Sequence, residues 1–186
     1  MIVTLAGRRI DPQNAPVTRF PLEKSTSVRE NIEHLLKESQ ATALVSSAAC
    51  GADLLALEAA GDLGIRRRVI LSFEPARFRS TSVADRPGEW GPLYDRIITE
   101  VAAAGDLILL NEEKDDEATF IRANNAILDE AQKLAHEAAL EASTETGDLL
   151  AVLVWEGKSR GDGDITAAFR TEARARSIPT AEILTQ

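Results

Sequence analysis

The residues best suited to chemistry in this chain are arginines placed beside turns of small residues. Arg8 and Arg9 follow Gly7 directly. A guanidinium there can fork onto a phosphate or a carboxylate. A second set is Ser46, Ser47, Ala48, Ala49, Cys50, Gly51, Ala52 and Asp53, between an apolar run and a helix-forming stretch. A strand that turns straight into a helix gathers several backbone N–H groups and the positive end of the helix dipole at one point, which favours an anion. The absence of bulky side chains lets a ligand reach the main chain. A third set repeats the pattern at Gly161, Gly163, Asp164 and Thr166. The segment 74–92 adds Arg79, Ser82 and Arg86 with Phe78 and Trp90, a mixture that can clamp phosphate and stack a ring. Asn124 and Asn125 are poor helix formers inside a helical pattern; polar contacts to a ligand would hold them there, and solvent exposure would also permit them. Asp53 and Asp164 are the candidate carboxylates for any catalysis. Cys50 sits ahead of a helix, whose dipole is expected to lower its pKa. Neither His34 nor His136 has a sequence reason to stand beside it, so a packing role is favoured.

Positioning these groups requires a particular scaffold. Apolar, β-branched runs at 1–6, from about 42, at 69–73, 149–155 and 178–184 read as strands. Helical spacing separates them. Val28, Ile32, Leu35 and Leu36 form one stripe, with Ser25 or Ser27 and Glu30 as a capping box and His34 beside the stripe, half-buried. Another helix covers about 52–63, closed by Gly64. Further helices are expected at 89–104, 117–143 and after Asp164. Residues 10–24 and 74–92 read as loops, and Arg66, Arg67 and Arg68 as a solvated cluster. Alternation of strand and helix predicts an α/β, Rossmann-like three-layer sandwich. Its mostly parallel sheet is expected in the order 3-2-1-4-5, with 106–110 as an extra short strand and helices on both faces. One domain is expected over 1–186. In such sheets ligands bind at the carboxyl edge, where all three small-residue turns fall.

Composition narrows the function classes. An apolar fraction of 44% over 186 residues is enough for a packed core. No apolar run is long enough to span a membrane, and the start of the chain lacks the pattern of a signal peptide. One cysteine excludes an internal disulfide and fits a cytoplasmic location. A net charge of −9 argues against duplex nucleic acid but not against a small anion. No dinucleotide-type GxGxxG, no Walker lysine and no cluster with metal-ligand spacing is present, so no metal and no resident cofactor is expected.

Together, Gly7-Arg8, the 46–53 turn, Arg122 with Asn124-Asn125, and Gly161 to Thr166 resemble the SLOG superfamily. That group joins the DNA-processing DprA proteins, the cytokinin-activating LOG proteins and nucleotide-sensing domains. The 46–53 turn is similar to the DprA pattern Ser-Gly-x-Ala-x-Gly-x-Asp, with Ser47 in place of its glycine. The resemblance implies a Rossmann-like sheet that binds nucleotides or nucleotide-derived ligands across its carboxyl edge. LOG-type hydrolases carry a glutamate three residues after a motif threonine, where this chain has Phe169. A phenyl ring cannot shuttle a proton or stabilise an oxocarbenium ion. Three readings therefore stand. The first is a module that binds a small phosphorylated, nucleotide-like ligand. The second is an N-glycosidase using Asp53 or Asp164. The third is a scaffold with a vestigial site, in which the 117–143 helix packs against another copy in a homodimer or larger homo-oligomer.

Overall fold

The computed structural model describes residues 1–144 and 147–186. Its centre is a six-stranded sheet formed by β1 (Ile2–Gly7), β2 (Ala43–Ser46), β3 (Arg66–Leu71), β4 (Leu107–Leu109), β5 (Leu149–Trp155) and β6 (Thr180–Leu184). The order is β4-β3-β2-β1-β5-β6, and every neighbouring pair is parallel. This is the expected order, with the short extra strand added outside β3. Six helices connect the strands: α1 (Ser25–Glu38), α2 (Ala52–Asp62), α3 (Pro75–Ser82), α4 (Trp90–Ala103), α5 (Glu117–Ala142) and α6 (Ile165–Ala175). The chain reverses direction across the sheet between β4 and β5, and β1 lies at the centre.

Period-two alternation sends alternate strand residues into two cores. Val3, Leu5, Leu44, Val69, Leu71, Val152 and Val154 pack under α1, α2 and α4. Ile2, Val45, Ile70, Ala151, Leu153 and Trp155 pack under α5 and α6, where Phe169 is fully buried. The strands are covered on both faces, which is why they read as near-continuous apolar runs. Among the described residues no helix is long and apolar enough to cross a membrane.

Four local expectations are corrected. Residues 75–82 form α3 rather than a loop. Pro75 occupies the start of the helix, where its fixed φ suits the first turn and its missing N–H costs nothing. The capping box does not form: α1 begins behind Lys24 with no side-chain cap, and Ser27 Oγ donates back to the Lys24 carbonyl. His34 is exposed and pairs with Glu38. The arginine triplet is also less solvated than expected. Arg66 and Arg68 both clasp the buried Asp106 ahead of β4, and their hydrogen bonds hold its carboxyl below the ordinary range despite burial. That clasp fixes the edge strand to β3.

One of the buried polar groups without a hydrogen-bond partner lies in the sheet. Thr4, in the middle of β1, is fully buried and its hydroxyl has no partner. The isosteric replacement Thr4→Val removes a desolvated hydroxyl without changing shape, so it is expected to stabilise the protein by about 1 kcal/mol. Urea unfolding measures this, and a destabilised variant would show that the hydroxyl is satisfied in solution.

Candidate functional site

The carboxyl ends of β1, β2, β3 and β5 open into one cleft of about 580 Å³. Its size is within the usual range for small-molecule sites. Gly7, Arg8, Arg9, Ser47, Asp53, Ser82, Arg86, Asn124 and Thr166 all line it. The structure therefore brings together residues from five distant stretches of sequence. Ser46, Gly51, Ala52, Gly161, Gly163 and Asp164 do not line it, and Arg79 is paired with Asp95 outside it. Arg122 is likewise outside, bound to Glu112.

The two small-residue turns do not present free main-chain donors as expected. In the first, the Ala49 amide donates to the Asp53 carboxylate at 3.2 Å, the Cys50 amide to the Ser82 carbonyl, and the Ala52 amide to the Arg8 carbonyl. Ser46 Oγ donates to the neighbouring Ser47 carbonyl. In the second, Asp164 caps α6 by accepting from the Thr166 and Ala167 amides, and it also accepts from the Arg160 amide at 2.8 Å. Each turn has thus filled its anion position with its own carboxylate. The glycines serve close packing. A Cβ on Gly7 would lie 2.3 Å from that of Ala52, and one on Gly51, at φ 96°, would lie 2.8 Å from the Arg8 carbonyl. They let the β1 turn press onto the start of α2.

The adjacent arginines separate to opposite walls. Arg8 is buried on the β5 side. Its Nε donates to Glu156 at 2.6 Å and its Nη1 to Asp164 at 2.6 Å, and its Nη2 reaches the Lys158 carbonyl. Burial works to raise the Asp164 pKa, yet hydrogen bonds from Arg8 and two backbone amides hold it well below the usual carboxylate range. Arg8 thus fastens β1 to the β5–α6 connection while still lining the cleft. Both oxygens of Asp164 are engaged by Arg8 and by main-chain amides. Arg9 leans instead toward the β3 side and pairs with Asp85. Arg86 shares that carboxylate at 3.4 Å. That contact is made by the buried Arg86 Nε as an ion pair without hydrogen-bond geometry, and the buried Nε of Arg9 has no hydrogen-bond partner.

Between the walls the cleft mixes apolar and polar side chains. Ile10, Phe78, Phe120, Ile127 and Ile165 line it, with Asn124 anchored by its amide to the Ile165 carbonyl at 2.9 Å. That bond, within the protein and made by Asn124 alone, is neither the ligand contact nor the solvent exposure considered for the pair. Asp53 lies at the floor, and burial pushes its carboxyl from 3.8 up to about 7 against the pull of the Ala49 amide and Arg9. Burial likewise raises the Cys50 thiol pKa. This reverses the expected dipole effect and leaves Cys50 a packing residue.

Several lining residues escaped the sequence reading. Pro12, Ala15, Pro16, Val17 and Arg19, in the segment read as a plain loop, form one wall. Asp11 organises that wall by accepting from the Arg19 and Phe20 amides. Three prolines in a short segment were the available signal. Arg160, beside the second turn, also lines the cleft, as do Phe120 and Ile127 on α5.

Over 96% of its length the chain is similar in structure to DNA processing protein A (DprA) from Streptococcus pneumoniae. The TM-score is 0.44 and the sequence identity 16%. The chain spans 57% of that protein. No family model matches, and no curated protein matches. Among the described residues no group of histidine, cysteine and carboxylate side chains is arranged to hold a metal ion.

Proposed function

We propose that the cleft binds a nucleotide or a nucleotide-derived phosphorylated ligand, and that the chain is a SLOG-like ligand-binding domain. The observation that carries this reading is the Arg9–Arg86 pair. Two guanidiniums face one carboxylate, Arg86 through its Nε at 3.4 Å, and the buried Nε of Arg9 has no hydrogen-bond partner, in a cleft of about 580 Å³. A desolvated guanidinium donor without an acceptor is costly, and a ligand phosphate relieves that cost. Asn124, Ser47 and Thr166 supply polar contacts for a sugar or base edge. A nucleotide present at a hundredfold excess over its Kd is expected to stabilise the protein by about 2.7 kcal/mol, raising Tm by roughly 5 to 10 °C for a chain of this size. Arg86→Ala is expected to weaken that nucleotide roughly tenfold or more. No shift with any member of a broad nucleotide panel overturns the reading.

One observation favours a second reading, cleavage of an N-glycosidic bond. Asp53 is a cleft carboxyl poised near neutrality, as proton transfer requires. Release of free base from nucleoside monophosphates, abolished in Asp53→Asn, is its signature. Binding without any release at high protein concentration leaves the sensing reading.

A further inference from the structure

The floor of the cleft holds a carboxyl and a guanidinium that face each other without bonding. Asp53 stands in the first turn of α2, only 8% exposed, and lines the cleft. One of its oxygens, Oδ2, accepts from the Ala49 amide. Among the described residues no other hydrogen bond and no ion pair reaches it. Arg9 faces it, but Arg9 commits its ion pair to Asp85 and lies also against the Cys50 thiol. The buried Nε of Arg9 keeps a donor with no acceptor. A spare donor and a spare carboxyl oxygen therefore meet at one point of the floor, and neither satisfies the other.

The other ionisable groups around the cleft have partners of their own or stand clear of the floor. Arg8 pairs with Glu156 and Asp164, Arg19 with Glu156, and Arg160 faces Asp164. Arg86 faces Asp85. Asp11 accepts from the Arg19 and Phe20 amides, and Asp115 and Glu117, beside the start of α5, are exposed. Both histidines, His34 and His136, are exposed and do not line the cleft. Of all these charges, Arg9 is the one that acts on Asp53, and its pull is outweighed by burial, which favours the neutral carboxyl up to about pH 7. An anion that takes the free Arg9 donor must share the floor with Asp53. An ionised Asp53 would repel it at a place too buried for effective screening. A protonated Asp53 would instead donate from its unengaged oxygen to the anion, a charge-assisted bond of the strong kind. The proton is taken from solvent on binding and returned on release.

We infer that the cleft takes up its anion together with a proton, Asp53 donating in its neutral form to the same ligand group that Arg9 receives. This deepens the nucleotide reading and rests on it for the kind of ligand. Binding must then weaken as pH rises, by up to about tenfold per pH unit once the free site has lost the proton. Isothermal titration from about pH 6 to about pH 8.5 tests this with probes whose own charge is constant over that range: sulfate, and the 3′,5′-cyclic monophosphates of adenosine and cytidine. The native protein is expected to lose at least about tenfold in affinity across the range. Asp53→Asn keeps an acceptor for the Ala49 amide and a donor for the ligand, and it cannot ionise. It is expected to lose the pH dependence and, at the alkaline end, to bind at least about tenfold tighter than the native protein. A gain of affinity is a result that simple loss of structure does not produce. Heats of binding to the native protein, compared between buffers of different ionisation enthalpy, count the protons directly and do not depend on the variant. The count is expected to approach one proton taken up per ligand at the alkaline end. Affinity independent of pH, tighter binding in alkali, no proton uptake, or a pH dependence that survives in Asp53→Asn overturns the inference. If a cyclic nucleotide binds without the coupling, this inference falls and the nucleotide reading stands. If sulfate binds with its proton and no nucleotide binds, the nucleotide reading falls and the coupled anion site stands. If no probe binds, this inference falls and the nucleotide reading is decided by the broad nucleotide panel.

Discussion

Arg8→Ala will destabilise the protein by about 3 to 5 kcal/mol, the cost of leaving a buried carboxylate without its cation. Arg8 is 4% exposed, and its guanidinium is shared between Glu156 and Asp164, both buried against it. Removing it strands two acids next to each other in a site that water barely reaches. Asp164 then loses part of the hold on its charged form while keeping its helix-capping amides. The pH dependence identifies the cause. The folded pKa of Asp164 lies below its unfolded value, so its contribution is present above the ordinary carboxylate range and is lost as pH falls through that range. The deficit of Arg8→Ala is therefore largest at neutral pH and shrinks in acid, where the stranded carboxyls take up protons. Arg8→Lys restores a charge but not the fork onto two partners, so it recovers only part of the loss. Urea unfolding at neutral and acid pH measures all of this. A deficit below about 1 kcal/mol at neutral pH would mark the pair as no stronger than a surface contact and refute the tie.

Arg8 also shows where the sequence stops being informative. The strands were legible because each is covered on both faces and so reads as a continuous apolar run, as Leu149–Trp155 does. Their order followed because parallel strands joined by helices have few allowed arrangements. The rim was legible for the same reason, since the ends of β1, β2 and β5 must open on one side. What each side chain does there was not legible. Arg8 finds Glu156 and Asp164 about 150 positions along the chain, and no local pattern announces that partnership. Arg9, adjacent in sequence, points to the other wall. Asp164-Ile165-Thr166 carries a local helix-cap signal, and the cap uses the very amides that an anion would need. The same holds at Asp53 and Ala49. Helix α3 was missed for a different reason. Among its eight residues only Phe78 and Ser82 are buried, so it shows almost no periodicity, and Pro75 at its start was the one cue.

Asp53→Asn will raise stability at alkaline pH and flatten its dependence on pH. Burial lifts the Asp53 carboxyl from 3.8 to about 7, so the folded protein holds a proton that the unfolded chain has released. Between those two values the unfolded state binds fewer protons, and stability must fall as pH rises. The full penalty, on the order of 4 kcal/mol, is reached above the folded value and is absent below the unfolded one. Asparagine keeps an oxygen for the Ala49 amide and cannot ionise. The variant should therefore match the native protein near the low end of the window and exceed it progressively toward and beyond pH about 7. Groups with depressed pKa values, Asp106 and Asp164 among them, lose their contributions at lower pH and are common to both proteins. They cancel in the difference. The opposite sign, a variant less stable at alkaline pH, would mean that Arg9 holds Asp53 charged more firmly than burial opposes it.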